Sequence, residues 1–126
     1  MRLSRATIIV SLASLPFIVP HVVEDFAEGI ASRIGLSTGA LAFLLGGYLA
    51  AQALGLVLLA ERRRAGWIVT LVIGLIWVTG AVVDHGSAVL SSHFRSGALS
   101  VLWVVGLVVT QTMALVLASL GLRSGR

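Results

Sequence analysis

Residues 39–60 read GALAFLLGGYLAAQALGLVLLA, and the charged run ERRR at 61–64 ends this apolar stretch. A second apolar stretch, GWIVTLVIGLIWVTGAVV at 66–83, begins just beyond it. A helix needs about 20 mostly apolar residues to cross the roughly 30 Å hydrocarbon core of a bilayer. The two stretches are therefore predicted to be membrane-spanning helices joined by a charged loop.

Two further apolar stretches flank this pair, at 6–23 and 97–122. The polar run SSHFRSG at 91–97 separates the last two spans, because it could not lie in lipid. The segments are too long and too uniformly apolar for barrel strands. We therefore expect an all-α fold: one domain over residues 1–126, a four-transmembrane-helix bundle with an up-down-up-down path.

The composition agrees with this class of protein. Of 126 residues, 58% are hydrophobic and 11% charged, and the mean hydropathy is +1.06. These values exclude a soluble globular enzyme and a disordered tail. The chain has no cysteine and no lysine, which excludes disulfides, thiolate nucleophiles, cysteine-ligated metals and lysine Schiff bases.

The arginines predict the orientation, since cytoplasmic loops carry an excess of basic residues. On the alternating path only Arg33 and Arg95 fall on the second side, and the other arginines share the first: Arg2, Arg5, Arg62, Arg63, Arg64, Arg123 and Arg126. We expect a multi-pass cell-membrane protein with both termini cytoplasmic. The net charge of +4 then reflects topology, and no nucleic-acid partner is expected.

Most acids and histidines fall in the extracytoplasmic half. His21, Glu24, Asp25 and Glu28 are spaced i, i+3, i+4 and i+7, which places them on one helical face if the helix continues past Pro20. A count of about 1.5 Å per residue puts Asp84 and His85 of the third span at the same depth. Because ionisable groups are expensive inside a membrane, these six residues are predicted to form one catalytic pocket.

Polar and aromatic residues of the later spans extend this pocket toward mid-membrane. They are predicted to contact the substrate, and they are Tyr48, Gln52, Trp77, Trp103 and Gln111. The aromatic rings could stabilise a cationic intermediate by their faces.

The residue types point to general acid–base catalysis. Crowded carboxyl groups cannot all ionise in a low dielectric, so one is expected to keep a proton and act as an acid beside a carboxylate or imidazole base. Such a pair could isomerise, cyclise or open an epoxide in a lipophilic small molecule. No cofactor is required for this chemistry.

A divalent metal is the second possibility for the same residues. His21, Glu24, Asp84 and His85 supply nitrogen and oxygen ligands of the kind zinc or non-haem iron binds inside helical bundles. Adjacent residues on a helix point about 100° apart, however. Both ligands of the third span could reach one ion only if the helix unwinds near Gly86.

Two alternatives do not involve catalysis. A proton-coupled carrier or exporter of a lipophilic or cationic compound would use a buried carboxylate, and a subunit of a larger membrane complex would need none of this chemistry.

Small residues recur every fourth position, which favours close helix packing and allows a homodimer. They are Gly47, Ala51 and Gly55 in the second span and Thr110, Ala114 and Ala118 in the fourth.

Residues 16–28, PFIVPHVVEDFAE, resemble the signature of the HXXEE family of small bacterial integral membrane proteins. The motif reads His21-Val22-Val23-Glu24-Asp25, with aspartate in place of the second glutamate, and the four-span layout and the later His85 also agree. In its chemistry alone, the predicted site is similar to the emopamil-binding sterol isomerases, which place His and Glu in a helical membrane bundle. No residue role is taken from that second likeness.

Overall fold

The structure is a computed structural model that describes residues 2–91 and 96–124. Within these ranges all regular elements are helices: α1 (Arg2–Ala13), α2 (Leu15–Ala27), α3 (Ile30–Arg33), α4 (Thr38–Ala60), α5 (Arg64–Ser91) and α6 (Ala98–Ser124). Four helical segments are long and apolar enough to cross a membrane: Arg2–Ala27, Thr38–Ala60, Arg64–Ser87 and Ala98–Ser124. The predicted all-α fold is thus confirmed, and four helical segments with the length and composition of membrane spans suggest a multi-pass membrane protein.

The first span consists of two helices, because α1 ends and α2 begins around Ser14. Pro16 follows at the start of α2 and has no amide hydrogen for the preceding turn. The Ser14 hydroxyl donates to the carbonyl of Ser11 over 2.6 Å. Pro20 lies inside α2, and the helix continues through it to the acidic residues. Pro16 and Pro20, one turn apart, predict a kink just before His21, whereas the break lies at Ser14.

A short connection at one end of the bundle links α2 to α4. Gly29 adopts a φ of 74°, which turns the chain out of α2 and into the single turn of α3. The Ser37 hydroxyl then accepts a hydrogen bond from the Ala40 amide over 3.1 Å and caps α4. We call this end of the bundle, which carries α3, the α3 end.

At the opposite end, α4 and α5 form a tight hairpin. Arg62 has a φ of 60°, and the amide of Arg63 donates to the carbonyl of Leu58 over 2.8 Å. The carboxylate of Glu61 pairs with Arg63 over 2.9 Å. Gly66 lies directly against the α4 backbone, so that a β-carbon there would overlap Leu59.

Helix α6 packs against α5, α1 and α2, while α4 packs mainly against α5. Glycines of α6 allow two of these helices to pack closely against it. Gly106 faces the ring of Phe17 on α2, and Gly121 faces the ring of Trp67 on α5. The core lies between α2, α5 and α6 and contains Ile18, Ile73, Trp77, Ala81 and Leu107. Of the small-residue series, Gly55, Ala114 and Ala118 are buried within the chain and Gly47 is exposed.

Candidate functional site

Two histidines and two aspartates meet at the α3 end of the bundle. His21 Nε2 lies 3.4 Å from Asp25 Oδ2, and His85 Nε2 lies 3.3 Å from Asp25 Oδ1. His85 Nε2 is also 3.3 Å from Asp84 Oδ2. The two imidazole rings stand edge to face with their centroids 4.7 Å apart. We refer to His21, Asp25, Asp84 and His85 as the His–Asp cluster.

Helical spacing positions this cluster. His21 and Asp25 are one turn apart on α2, so the two side chains share a face. On α5 the neighbours Asp84 and His85 diverge: His85 points inward and is 9% exposed, whereas the side chain of Asp84 is 35% exposed. Helix α5 runs unbroken past Gly86, yet the tips of the two side chains approach within 3.3 Å, so the predicted unwinding is not needed to bring them together.

Asp25 is the centre of the cluster. Its side chain is 14% exposed and lies between the two imidazoles, with one carboxylate oxygen toward each. His21 is 5% exposed, and its Nδ1 is buried without a hydrogen-bond partner among the described residues. A carboxylate held in apolar surroundings needs such partners, because an unpaired buried charge is strongly destabilising.

Glu24 does not join the cluster, and the prediction that it meets Asp84 is corrected. Its Oε1 accepts hydrogen bonds from the Ser100 hydroxyl over 2.6 Å and from the Ser96 amide over 3.2 Å. Glu24 therefore stabilises the amino end of α6, where a carboxylate complements the exposed amides and the helix dipole.

Glu28 is also separate from the cluster, because α2 ends before it. Its backbone amide donates to the carbonyl of Glu24, and its side chain is exposed. Glu28 is not among the residues that line the adjoining cavity. The predicted four-residue face thus contributes two of its members, His21 and Asp25, to the site.

A cavity of about 500 Å³ adjoins the cluster and lies between α2, α3, α4 and α5. All four cluster residues line its end at α3. Most of the remaining wall is apolar and includes Ile30, Ile34, Leu41, Leu44, Leu45, Ile76, Ala81 and Val83. Leu44 and Ile76 are also 56% and 50% exposed, so the cavity opens sideways through the bundle wall.

Tyr48 and Trp77, two of the five residues predicted to contact substrate, line the deeper part of the cavity. Their rings are 5.3 Å apart at 76°. The Tyr48 hydroxyl donates to the carbonyl of Ile73 over 3.0 Å, and Trp77 Nε1 donates to Gln52 Oε1 over 3.0 Å. Both polar groups are thus engaged within the protein, and Trp77 also belongs to the buried core, with 8% of its surface exposed.

The other three residues predicted to contact substrate do not line this cavity. Gln52 lies behind Trp77 and is 6% exposed. Gln111 is buried on α6, where its Nε2 donates to the Ser14 hydroxyl over 2.8 Å. Trp103 is half-buried on α6. Gln52 and Gln111 connect helices, which is a common use of polar side chains in membrane bundles.

The ligand atoms of His21, Asp25 and His85 lie within 4.8 Å of one another, close enough to hold a divalent metal ion. Of the predicted ligands, this group keeps His21 and His85, whereas Glu24 and Asp84 are not members and Asp25 is added. The residue types suit zinc or iron, but metal-bound imidazoles normally donate their second nitrogen to an acceptor. His21 Nδ1 has no such partner in the described chain, so the cluster fits a metal only in part.

The apolar wall of the site is not among the residues predicted from the sequence. On α5, Ile76, Gly80 and Val83 line the cavity at helical spacing below Asp84 and His85, and this spacing could have predicted them as part of the same face. It also missed Ser100, which holds Glu24 away from the cavity. No sequence signal marked that pairing across 76 positions.

The sequence matches no protein-family model, and comparisons with curated proteins and with solved structures find no match. The resemblance to the HXXEE family therefore stays a prediction that rests on the five motif residues.

Proposed function

We propose that this protein is a membrane-embedded enzyme that transfers a proton on a lipophilic small molecule, by isomerisation, cyclisation or epoxide opening. One observation carries the proposal: a cluster of two aspartates and two histidines closes one end of an otherwise apolar cavity. A pocket of this kind, with a few convergent polar groups in an apolar wall, is the usual form of a small-molecule site.

Asp84 is the group we assign to the reacting atoms. It lines the cavity and is the most exposed member of the cluster. In an isomerisation, its O–H bond breaks as a C–H bond forms at one alkene carbon, and a neighbouring carbon returns a proton to the carboxylate. In an epoxide opening the proton goes to oxygen as a C–O bond breaks, so that only the alkene reactions place a solvent hydrogen on carbon. Neither reaction needs an oxidant or reductant. His85 contacts both Asp84 and Asp25 and so positions the acid.

The lateral opening supports a substrate that arrives from the bilayer. Its edge is formed by apolar side chains of α4 and α5, including Leu44 and Ile76. A hydrocarbon ligand could pass between these helices without entering water. The apolar wall would then exclude water from the reacting atoms, which strengthens electrostatic interactions there.

For the membrane arrangement we propose an up-down-up-down path with both termini cytoplasmic, which places the cluster on the extracytoplasmic side. The hairpin between α4 and α5 supports this orientation because it carries Arg62, Arg63 and Arg64. The acids of the described chain lie mainly at the α3 end, and Glu61 is at the hairpin.

Catalysis is favoured over transport by the packing below the cavity. The hydrogen bonds from Gln111 to Ser14 and from Trp77 to Gln52 join buried side chains there. A carrier needs access from both sides, and these bonds join α4 to α5 and α6 to the first helical segment on the side of the cavity away from the cluster. Proton-dependent flux of a lipophilic cation in proteoliposomes would instead favour the carrier.

The test uses heavy water, because the substrate need not be known. Protein in nanodiscs is incubated in D₂O with a total lipid extract and a panel of isoprenoids and sterols, and the lipids are analysed by mass spectrometry. We expect deuterium on carbon in at least one lipid with the wild type and none with Asp84→Asn. Glu61→Gln is the matched control, since it makes the same chemical change at the hairpin.

Equal labelling by the wild type and Asp84→Asn would show that Asp84 takes no part in the reaction. Circular dichroism and gel filtration establish that each variant is folded. Asp84→Glu, which keeps the carboxyl group, provides a second variant and should retain part of the labelling.

A further inference from the structure

A second cavity lies at the hairpin end of the bundle, between the start of α1 and the end of α4. It has a volume of about 470 Å³, and its lining includes Ser4, Arg5, Ile8, Ile9, Leu59 and Arg62. The space is open because α1 packs mainly on α6, whereas α4 packs mainly on α5. We call this cavity the hairpin groove. It shares no lining residue with the cavity at the His–Asp cluster.

The wall of the hairpin groove combines a charged end with an apolar interior. Arg5 on α1 and Arg62 in the hairpin both line it, and both are exposed. Leu59 lies at its base and is 1% exposed, whereas Ile9 is 55% exposed at its open side. The described residues of its lining include no carboxylate. A ligand would therefore meet two guanidinium groups at one end and aliphatic side chains below them.

These two guanidinium groups are available to a ligand. The carboxylate of Glu61, the acid of the hairpin, pairs with Arg63 over 2.9 Å. Within the described part of the chain, neither Arg5 nor Arg62 has an ion-pair partner. Arginine binds phosphate oxygens through two parallel charge-assisted hydrogen bonds, and two arginines on one cavity can share a phosphate.

The backbone of Arg62 has a conformation that favours glycine. Its φ is 60°, and the amides of Arg62 and Arg63 donate to the carbonyls of Leu59 and Leu58 over 3.1 and 2.8 Å. This is the usual hydrogen-bond pattern at a helix end with a left-handed residue, and glycine is common there because a β-carbon is unfavourable. Glycine would complete the same turn with less strain. The arginine adds a charge on the groove instead.

We infer that the hairpin groove binds an anionic phospholipid, with its phosphate between Arg5 and Arg62 and an acyl chain along the apolar wall. Basic pockets between membrane helices bind anionic lipid headgroups by this combination of contacts. A soluble phosphate would leave the apolar wall uncovered, and a zwitterionic lipid would bring its own cation to the arginines. The inference is independent of the proposed reaction, which uses the other end of the bundle.

Native mass spectrometry of the protein titrated with lipid in detergent micelles tests this site, because it counts bound molecules. The ligands are dioleoylphosphatidylglycerol, dioleoylphosphatidylcholine and sn-glycerol 3-phosphate. They separate the effect of net charge from that of the acyl chains. We expect the first phosphatidylglycerol to bind at least about tenfold more tightly than phosphatidylcholine. Glycerol phosphate should not bind over the same concentration range.

Paired substitutions locate the binding charges. Arg5→Gln combined with Arg62→Gln should lower the affinity for phosphatidylglycerol to that for phosphatidylcholine. The matched control is Arg64→Gln combined with Arg123→Gln, which removes two exposed arginines from the same end of the bundle and outside the groove, and it should bind as the wild type does. Arg5→Lys combined with Arg62→Lys keeps both charges and should retain part of the preference, which guards against a folding defect.

A substitution in the apolar part tests the acyl chain. Ala60 lines the groove and is exposed, so that Ala60→Phe should fill part of it with both arginines in place. We expect the affinity for phosphatidylglycerol to fall at least about tenfold. Ala53→Phe makes the same change at an exposed position of α4 outside the groove and should have no effect.

Four results would overturn the inference. They are equal affinities of the wild type for the two lipids, an equal loss of preference in both glutamine pairs, full binding by folded Ala60→Phe, and binding of glycerol phosphate as tight as that of phosphatidylglycerol. The second would indicate a general response to net charge, and the last would make a soluble phosphate the ligand. Each leaves the deuterium test at the other cavity unaffected, so the two proposals can fail separately.

Discussion

Oδ1 of Asp25 lies 3.3 Å from Nε2 of His85, which links α2 to α5 at the end of the cavity. The other oxygen of the same carboxylate faces His21. Asp25 thus holds two imidazoles from different helices in one arrangement. This contact determines where His85, and through it Asp84, stands relative to a ligand.

Substitution of Asp25 should therefore weaken the bundle as well as the site. Asp25→Leu leaves two buried imidazoles without their shared acceptor, and we expect a loss of about 1–3 kcal/mol in the free energy of unfolding. Thermal unfolding followed by circular dichroism in detergent measures the effect. Glu28→Leu is the control, because that side chain is exposed and should change stability by less than about 0.5 kcal/mol. Equal stability of the two variants would refute the structural role of Asp25.

The contact of Glu24 with the start of α6 makes a different prediction. Glu24→Ala removes the acceptor for the Ser100 hydroxyl and one of two acceptors for the Ser96 amide, which also donates to Ser100 Oγ over 3.0 Å, and we expect faster hydrogen exchange in the first turn of α6. The loss should be about 1 kcal/mol, as for other caps at helix amino ends. Ser119→Ala removes a hydroxyl bond near the other end of α6 and should leave that first turn unaffected. Unchanged exchange in Glu24→Ala would contradict the capping role.

Asp25 lies in the His–Asp cluster, whereas its neighbour Glu24 contacts α6. This difference shows how much of the site could be predicted from the sequence. Spacing correctly grouped His21, Asp25, Asp84 and His85 at one level. Neighbouring helical residues diverge by about 100°, however, so Asp25 turns toward α5 and Glu24 toward α6. The order in which the helices pack determines which face of α2 lies against α5 and which lies against α6. The spacing of residues within α2 alone does not give that order.

The fold was more predictable than the site, because hydropathy alone marks a helix long enough to span a bilayer. The four spans and the hairpin at 61–64 follow from that signal. Hydropathy does not predict the break at Ser14 or the single turn of α3, because neither interrupts the apolar pattern in a distinctive way. Yet α3 contributes Ile30 to the cavity wall, so the site could not have been completed from the spans.

The glycine contacts predict which helix faces tolerate a larger side chain. A β-carbon at Gly106 would overlap the ring of Phe17, and Gly106→Val should destabilise the bundle by about 1–3 kcal/mol. A β-carbon at Gly47 meets nothing within 4 Å, so Gly47→Val tests the same change without a clash. Thermal unfolding of the two variants should differ clearly, and equal melting temperatures would contradict the packing of α2 on α6.

Gly80 provides a way to block the cavity without altering the His–Asp cluster. It lines the cavity, and a β-carbon there meets nothing within 4 Å. Gly80→Leu should fold, fill part of the cavity and lower the deuterium labelling of lipid carbon at least about tenfold, the equivalent of roughly 1.4 kcal/mol. Gly47→Leu makes the same change outside the cavity wall and should label lipid as the wild type does. Undiminished labelling by folded Gly80→Leu would place the substrate elsewhere.

The central claim is that the cavity and the His–Asp cluster act on the same lipophilic molecule. Its most direct test is the transfer of solvent deuterium to lipid carbon by the wild type, Asp84→Asn and Gly80→Leu, compared in one nanodisc preparation in D₂O. We predict labelling by the wild type and its loss in both variants, one lacking the acid and the other the space for the substrate. Labelling that persists undiminished in both folded variants would contradict the claim.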